Sequence, residues 1–301
     1  MNNTIEHIQL GRTEMMISPM GLGTWAWGDR IFWKYGDGYT REDLTEVFQA
    51  SVDAGINFID TAETYGFGSS EKILKSILTK DIVVATKFFP YPWRLTPRSL
   101  LSGLRGSLKR LGASSIDLYI MHWPFPPISI ESWMDAMTEA FNEGLIKAVG
   151  VSNYNPSQME QADLRLQKHG LRLAANQVHF SLLHRQSELD GLIKTCRQEN
   201  ISVIAYSPLG QGLLTGKYVP GGPMPKGLNR LGNKRLIKDL QPLINELRNI
   251  GETMGGKTPA QVAINWVIQK GCIPIVGAKN RHQAEENAGA MGWNLPEEQI
   301  T

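Results

Sequence analysis

The stretch NFIDTAETYGFGSSEKILKSILTKDIVVATKF, residues 57–88, contains one full repeat of the pattern that decides the fold. Asn57 to Asp60 and Ile82 to Lys87 are apolar runs of strand length, and Ser70 to Leu78 spaces its apolar residues as a helix does. A strand, a helix and a second strand in this order imply parallel strands joined by a right-handed crossover.

Outward from this unit, Met20 to Thr24, Asp117 to His122, Ala148 to Ser152, Ala174 to Val178, Ser202 to Ser207 and Ile273 to Val276 read the same way, giving eight candidate strands. Helical patterns fall between them at Glu42 to Ala54, Pro97 to Leu111, Ser132 to Glu143, Pro156 to Lys168, Glu188 to Glu199 and Pro259 to Gln269. Gly55, Gly112, Gly144, Gly170 and Gly271 stand where helices should close. A doubly wound open sheet alternates similarly, but eight repeats favour an α/β (β/α)8 TIM barrel, with residues 1–301 as a single domain. Ile5 to Ser18, with Gly11 near its middle, reads as an N-terminal hairpin forming a lid over one end.

Two segments, Asp29 to Thr40 and Leu213 to Met254, exceed the simple repeat. The second contains GKYVPGGPMPKGLNR and then an extra helix at Gln241 to Thr253. Both follow strands, which assigns them to the C-terminal face as walls or lids of a substrate and cofactor cleft.

Bulk composition narrows the partners. Hydrophobic residues at 42% with charged residues at 20% describe an ordinary globular chain, and a net charge of +2 gives no attraction for nucleic acid or a membrane surface. A small-molecule partner and a monomer or weak oligomer are the expectation. Cys196 and Cys272 lack disulfide-framework or metal spacing and fit a reducing compartment. The start MNNTIEHIQLGRTE has no apolar signal region. No apolar run approaches the roughly 20 residues that span a bilayer. The expected location is the cytoplasm, with the plastid stroma, after removal of a targeting segment, as the second choice.

Asp60, Lys87 and His122 end the second, third and fourth candidate strands, and Tyr65 follows Asp60 within DTAETYG. Singly, each has a structural use: Asp60 as a cap, Tyr65 as a half-buried ring, Lys87 as an ion-pair partner, His122 as a hydrogen-bonded core residue. Together they say more, because an inward cation and anion on adjacent strands are expensive to bury unless they pair. An ammonium beside a tyrosine hydroxyl should lower its pKa from about 10, making Tyr65 the proton donor, while His122 can bond a carbonyl oxygen.

The chain resembles the aldo-keto reductases, whose Asp, Tyr, Lys and His tetrad matches Asp60, Tyr65, Lys87 and His122. GLGTW at 21–25, DTAETYG at 60–66, TKF at 86–88, MHWP at 121–124, GVSNYNP at 150–156 and AYSPLGQGLLTGKY at 205–218 are similar to family motifs in family order. The resemblance implies NADPH-dependent reduction of an aldehyde or ketone to an alcohol, hydride coming from nicotinamide C4 and the proton from Tyr65. It implies that Ser152, Asn153 and Gln177 hold the carboxamide and that Tyr206 stacks on the nicotinamide. By the same resemblance Ser207, Pro208, Leu209, Gly210, Gln211 and Gly212 underlie the pyrophosphate, Glu286 and Asn287 meet the adenine, and Gly23, Thr24 and Trp25 join the cofactor site.

Departures from the family concern the 2′-phosphate that separates NADPH from NADH. Frequently basic positions hold Gly277, Ala278 and Gln283, leaving Lys279 as the leading candidate with Arg281 and His282 as alternatives. Family chains usually run on past the position of Thr301, so a further terminal element is expected. GLGTWAWG has glycines at 21, 23 and 28, which is not the GxGxxG spacing of a Rossmann site.

Trp25, Trp27, Phe89, Trp93 and Trp123 fall at or beyond strand ends and are the expected substrate wall, favouring a planar or apolar carbonyl compound. WAWGDRIFW resembles the plant and cyanobacterial branch that includes pyridoxal reductases. His179 and His184, five apart, fall on opposite strand faces and suit packing or surface, not a shared metal. No metal is expected, and no GxSxG, HExxH or P-loop motif is present. A nucleotide-sensing regulatory subunit on the same fold is the rival reading; the intact tetrad favours catalysis.

Overall fold

The computed structural model describes residues 5–222 and 233–300; residues 223–232, which include the second half of GKYVPGGPMPKGLNR, lie outside the described residues. A two-stranded antiparallel hairpin, β1 (Ile8–Gln9) and β2 (Met16–Ile17), precedes the barrel strands. These are β3 (Gly21–Gly23), β4 (Phe58–Asp60), β5 (Val83–Phe88), β6 (Ile116–Met121), β7 (Ile146–Ser152), β8 (Leu173–His179), β9 (Ser202–Tyr206) and β10 (Ile273–Gly277). Each pairs in parallel with its sequence neighbours, and β10 returns to β3, closing the barrel.

The helices are α1 (Arg41–Asp53), α2 (Ser69–Lys75), α3 (Arg98–Leu111), α4 (Ile130–Asn142), α5 (Pro156–Gln167), α6 (Gln186–Leu189), α7 (Leu192–Gln198), α8 (Asn233–Thr253), α9 (Pro259–Gln269) and α10 (Arg281–Ala288). Sequence sets their limits. In α3, Leu100, Leu104, Leu108 and Leu111 form one buried stripe, and Gly112 ends the helix in the left-handed region at φ 69°. Removing one such side chain, Leu104→Ala, costs about 2–5 kcal/mol through lost burial and the cavity left behind.

Phe58, Ala85, Leu118, Ile120, Ala175, Ile204 and Ile273 belong to an inner cluster enclosed by the strands. The hairpin adds Leu10 and Ile17 to that cluster. Gly11 donates its N–H to Ser202 Oγ at 2.7 Å, and a Cβ there would fall 2.2 Å from the Ala174 carbonyl oxygen. The hairpin is thus a lid over the N-terminal end, opposite the strand ends that carry Asp60, Lys87 and His122.

Two helix expectations change. The single helix over Glu188 to Glu199 is two, α6 and α7, parted where Gly191 takes φ 81°. The extra helix starts at Asn233 and not at Gln241, and it carries Pro242 in its interior.

Candidate active site

Asp60 closes β4 opposite Ala85 of β5, so Lys87, two residues on, lies on the same inward face one diagonal step away. Lys87 Nζ donates to Asp60 Oδ2 at 2.6 Å, to the Thr61 carbonyl at 2.7 Å and to Tyr65 Oη at 3.2 Å. Those three bonds use all three ammonium donors. The pair is sealed, with side-chain exposures of 0% for Lys87 and 2% for Asp60. Burial pushes the Asp60 carboxyl up and the Lys87 ammonium down, and each charge opposes the shift of the other.

A second layer fixes this pair. Gln177 Nε2, from β8 across the barrel, donates to Asp60 Oδ1 at 2.7 Å. Thr24 Oγ1 donates to the Asp60 carbonyl at 2.9 Å and accepts from Ser70 Oγ at 2.7 Å. Beside them the wholly buried Glu71 accepts from Thr86 Oγ1 at 2.6 Å and pairs with Arg110 at 2.5 Å.

Tyr65 opens a tight turn in which Gly66 and Phe67 take φ 53° and 54°, the left-handed region that glycine tolerates and phenylalanine resists. Its ring meets the His122 ring edge-on at 6.1 Å. The expected lowering of the Tyr65 pKa does not occur: burial first, then the Asp60 charge and Tyr206, hold the phenol well above its ordinary value. Tyr65 therefore rests protonated. Burial and the Lys87 charge hold His122 neutral, far below the usual imidazole range. His122 Nδ1 is buried without a partner. An orphaned lone pair costs less than an orphaned N–H, which assigns the proton to Nε2.

Asp60, Tyr65 and His122 face a cleft of about 1300 Å³ at the C-terminal strand ends. That exceeds the 300–1000 Å³ of ordinary small-ligand pockets and leaves room for a dinucleotide beside a substrate. Ser152, Asn153, Gln177 and Tyr206 line it together. Asn153, at φ 62°, donates to the His122 carbonyl and to Ser152 Oγ, and its Oδ1 accepts from Tyr206 at 3.0 Å. One face of Tyr206 is covered by His179, 5.1 Å away and nearly parallel, and His179 in turn stacks on His184 at 4.0 Å. The turn at Ser181 to His184 folds the chain back, which five-residue spacing does not reveal.

Ser207, Pro208, Leu209, Gln211 and Gly212 line the same cleft, as do Gly23, Trp25, Gly277, Gln283, Glu286 and Asn287. Thr24 and Gly210 do not: Thr24 is buried behind Asp60, and Gly210 is turned toward Leu183. Lys279 lines the cleft, but its Nζ is held 4.6 Å above Trp33, 4.9 Å from the Tyr39 ring and 3.4 Å from the Trp33 carbonyl. Arg281 pairs with Glu285 at 2.7 Å.

Of the expected aromatic wall, Trp25 and Trp123 line the cleft. Trp27 does not; it is wholly buried, with its ring N–H directed at the Ala278 carbonyl. Phe89 stands behind His122 at 5.5 Å, and Trp93 is 72% exposed, stacked on Tyr91 outside the cleft. Phe32, stacked on Trp25 at 5.1 Å, and Trp33, edge-on to Trp25 at 5.2 Å, also line the cleft; the sequence presents them only as part of the long segment from Asp29 to Thr40.

Among the described residues no group of three His, Cys, Asp or Glu side chains converges as a metal site, and no helix is long and apolar enough to cross a membrane.

The chain is 38% identical to "Pyridoxal reductase, chloroplastic" of Arabidopsis thaliana over 93% of its length and 80% of that protein's. It is 32% identical to "NADH-specific methylglyoxal reductase" of Escherichia coli over 99% and 97% of the two chains. A crystal structure of an aldo-keto reductase from Klebsiella pneumoniae in complex with NADPH superposes with a TM-score of 0.77 at 27% identity, covering 98% of this chain and 92% of that one. The model of the Aldo/keto reductase family matches residues 19–301, and with it the barrel and its rim have their assignment: the chain belongs to the aldo/keto reductase family and is a nicotinamide-dependent oxidoreductase.

Proposed function

We propose that this enzyme uses NADPH to reduce aldehydes or ketones to alcohols, with Asp60, Tyr65, Lys87 and His122 as its catalytic group. The observation that carries this reading is the Lys87 ammonium at 3.2 Å from Tyr65 Oη, with the phenol and His122 both open to the cleft. A bound reduced nicotinamide supplies a hydride from C4 to the carbonyl carbon. Tyr65 gives its proton to the carbonyl oxygen as charge develops there, and Lys87 faces the phenolate left behind. The raised resting pKa keeps the donor loaded, and the proton leaves only as negative charge develops on the carbonyl oxygen beside it. His122, neutral and protonated on Nε2, donates to the same oxygen and orients it.

Ser152, Asn153 and Gln177 would hold the carboxamide, the open face of Tyr206 the nicotinamide, the 207–212 turn the pyrophosphate, and Glu286 and Asn287 the adenine. Gln177 suits this because its amide N–H is already committed to Asp60, leaving its carbonyl oxygen as an acceptor for the carboxamide. Preference for NADPH rests on Lys279. The Trp25, Phe32 and Trp33 cluster and Trp123 favour a planar or apolar carbonyl substrate. All of this sits in one domain, which we place in the cytoplasm.

The test is turnover with NADPH and 4-nitrobenzaldehyde, followed by a panel of aliphatic, aromatic and heteroaromatic aldehydes and ketones. Tight NADPH binding with no turnover on any of them would replace catalysis by nucleotide sensing.

A further inference from the structure

His179 and His184 stand outside the cleft, yet both bear on a residue that lines it. His179 ends β8 and Tyr206 ends β9, and the two are register partners on neighbouring parallel strands. Gln177 and Ile204, two residues earlier on each strand, point into the barrel, so His179 and Tyr206 share that inward face one step nearer the rim. Their rings lie 5.1 Å apart and within 12° of parallel, and the His184 ring stacks on His179 at 4.0 Å and 13°.

The turn from Ser181 to His184 brings the second imidazole back onto the first. Backbone bonds of 3.0 and 3.2 Å close it, and Ser181 Oγ accepts the Leu183 N–H at 3.2 Å. Leu183 packs beside Gly210, where a Cβ would stand 2.9 Å from Leu183 Cδ1. Tyr206 is thereby fixed at its tip, its backbone and one face: its hydroxyl donates to Asn153 Oδ1 at 3.0 Å, its carbonyl accepts the Phe180 N–H at 3.4 Å, and His179 backs the ring. The hydroxyl bond holds the tip of the ring but not its tilt, which leaves the plane of the ring to His179.

We propose that His179, backed by His184, is a positioning residue that sets the plane of Tyr206 and so strengthens the grip on the nicotinamide half of the cofactor. The proposal rests on the reading that the open face of Tyr206 receives that ring. A flat imidazole lying parallel to Tyr206 resists its tilting, whereas an aliphatic side chain fills the space and lets the ring rock. One aromatic contact of this kind is worth about two- to tenfold in an equilibrium constant. On this account β8 serves the cofactor twice, through Gln177 directly and through His179 by way of Tyr206.

The experiment titrates NADP+ and adenosine 2′,5′-bisphosphate, which lacks the nicotinamide half, into wild type, His179→Leu, His179→Phe, His184→Ala and Tyr206→Ala by calorimetry, with melting temperatures alongside. His179→Leu should bind NADP+ about three- to tenfold more weakly and leave the affinity for adenosine 2′,5′-bisphosphate unchanged. His179→Phe, which restores a flat ring, should return to within about twofold of wild type. If His179→Leu does not fold, His184→Ala, whose side chain is exposed, should show the same selective loss at about twofold. Equal losses for both ligands, no loss in His179→Leu, or a loss that His179→Phe shares in full overturn the positioning role. Tyr206→Ala separates that role from the reading beneath it. A selective loss of NADP+ affinity in Tyr206→Ala with none in His179→Leu overturns the positioning alone; unchanged NADP+ affinity in Tyr206→Ala overturns the nicotinamide platform and the proposal with it.

Discussion

Replacing Lys279 by alanine tests the proposed preference of this site for NADPH over NADH. A free ammonium meeting a 2′-phosphate gains roughly 1.5–3 kcal/mol, enough for more than tenfold discrimination. Lys279 is not free: its Nζ lies over Trp33 and Tyr39, and each cation–π contact at a half-exposed site is worth about 0.5–1 kcal/mol. Leaving both rings for the phosphate costs about 1–2 kcal/mol, so the midpoint of the net gain is about 0.75 kcal/mol, or close to fourfold. Burial and the neighbouring Lys217 charge also lower the Lys279 pKa, which weakens its grip as pH rises. Lys279→Ala should therefore reduce the NADPH-to-NADH affinity ratio about fourfold, flatten the salt dependence of NADPH binding, and change Trp33 emission as its loop loses a tether. Calorimetric titration of both cofactors over a salt series measures the ratio. A loss beyond tenfold confined to NADPH, with emission unchanged, would refute the cage argument; equal losses for both cofactors would show that Lys279 acts only through the loop.

Tyr65→Phe keeps the ring and removes the proton, so turnover should fall about 10²- to 10⁴-fold with NADPH affinity unchanged; a loss under tenfold in steady-state assays removes Tyr65 from the donor role. Because the resting phenol is raised, kcat for reduction should show no Tyr65-dependent break below about pH 10, and a break near pH 7 that vanishes in Tyr65→Phe contradicts this. Lys87→Met strands a buried carboxylate and should cost about 3–5 kcal/mol in urea unfolding as well as turnover, whereas Lys87→Met with Asp60→Leu should regain much of the stability and none of the activity. His179 is held neutral, down to about 4, by burial and His184, while an unfolded imidazole titrates near 6.5. The unfolded chain thus takes up the proton first, so stability is full above about pH 6.5 and falls as pH drops toward 4; a melting temperature constant from pH 7 to 4.5 argues against that.

The barrel was legible because its signal is redundant. Eight apolar runs, each buried on both faces, and a helix after nearly every one reinforce a single architecture, so an error of two residues at any boundary changes nothing. The tetrad was legible because strand ends fix where a side chain points. Asp60 and Lys87 needed only the register and the cost of burying charge to be paired. What sequence could not supply was the course of loops. Trp27 and Phe32 lie five residues apart in one aromatic segment, yet one is sealed inside and the other lines the cleft. Lys279 lines the cleft, but nothing near it in sequence names Trp33 or Tyr39 as its partners. The same holds for His179 and His184, joined by a turn.

The buried pair beneath Tyr65 is better explained by its effect on charge than by stability. An apolar pair of similar volume in such a place is often neutral or stabilising by 1–4 kcal/mol, so Asp60 and Lys87 add nothing that leucine and methionine could not. Their effect falls on Tyr65, and it differs between the resting and reacting states. At rest the phenol is neutral, the ammonium 3.2 Å away stabilises little, and burial with Asp60 keeps the proton in place. In the proposed reaction, as the proton leaves, a phenolate forms at that distance from Lys87. With an effective dielectric constant of about 20 the attraction is roughly 5 kcal/mol, partly offset by Asp60. That term is absent from the ground state and grows with proton transfer, which is the condition for lowering a barrier and not merely binding tightly. Gln177 matters to it because its 2.7 Å bond to Oδ1 fixes the Asp60 carboxylate, while Thr24 anchors the Asp60 backbone carbonyl at 2.9 Å. Were Asp60 to swing toward the phenol, its negative charge would cancel the gain that Lys87 provides.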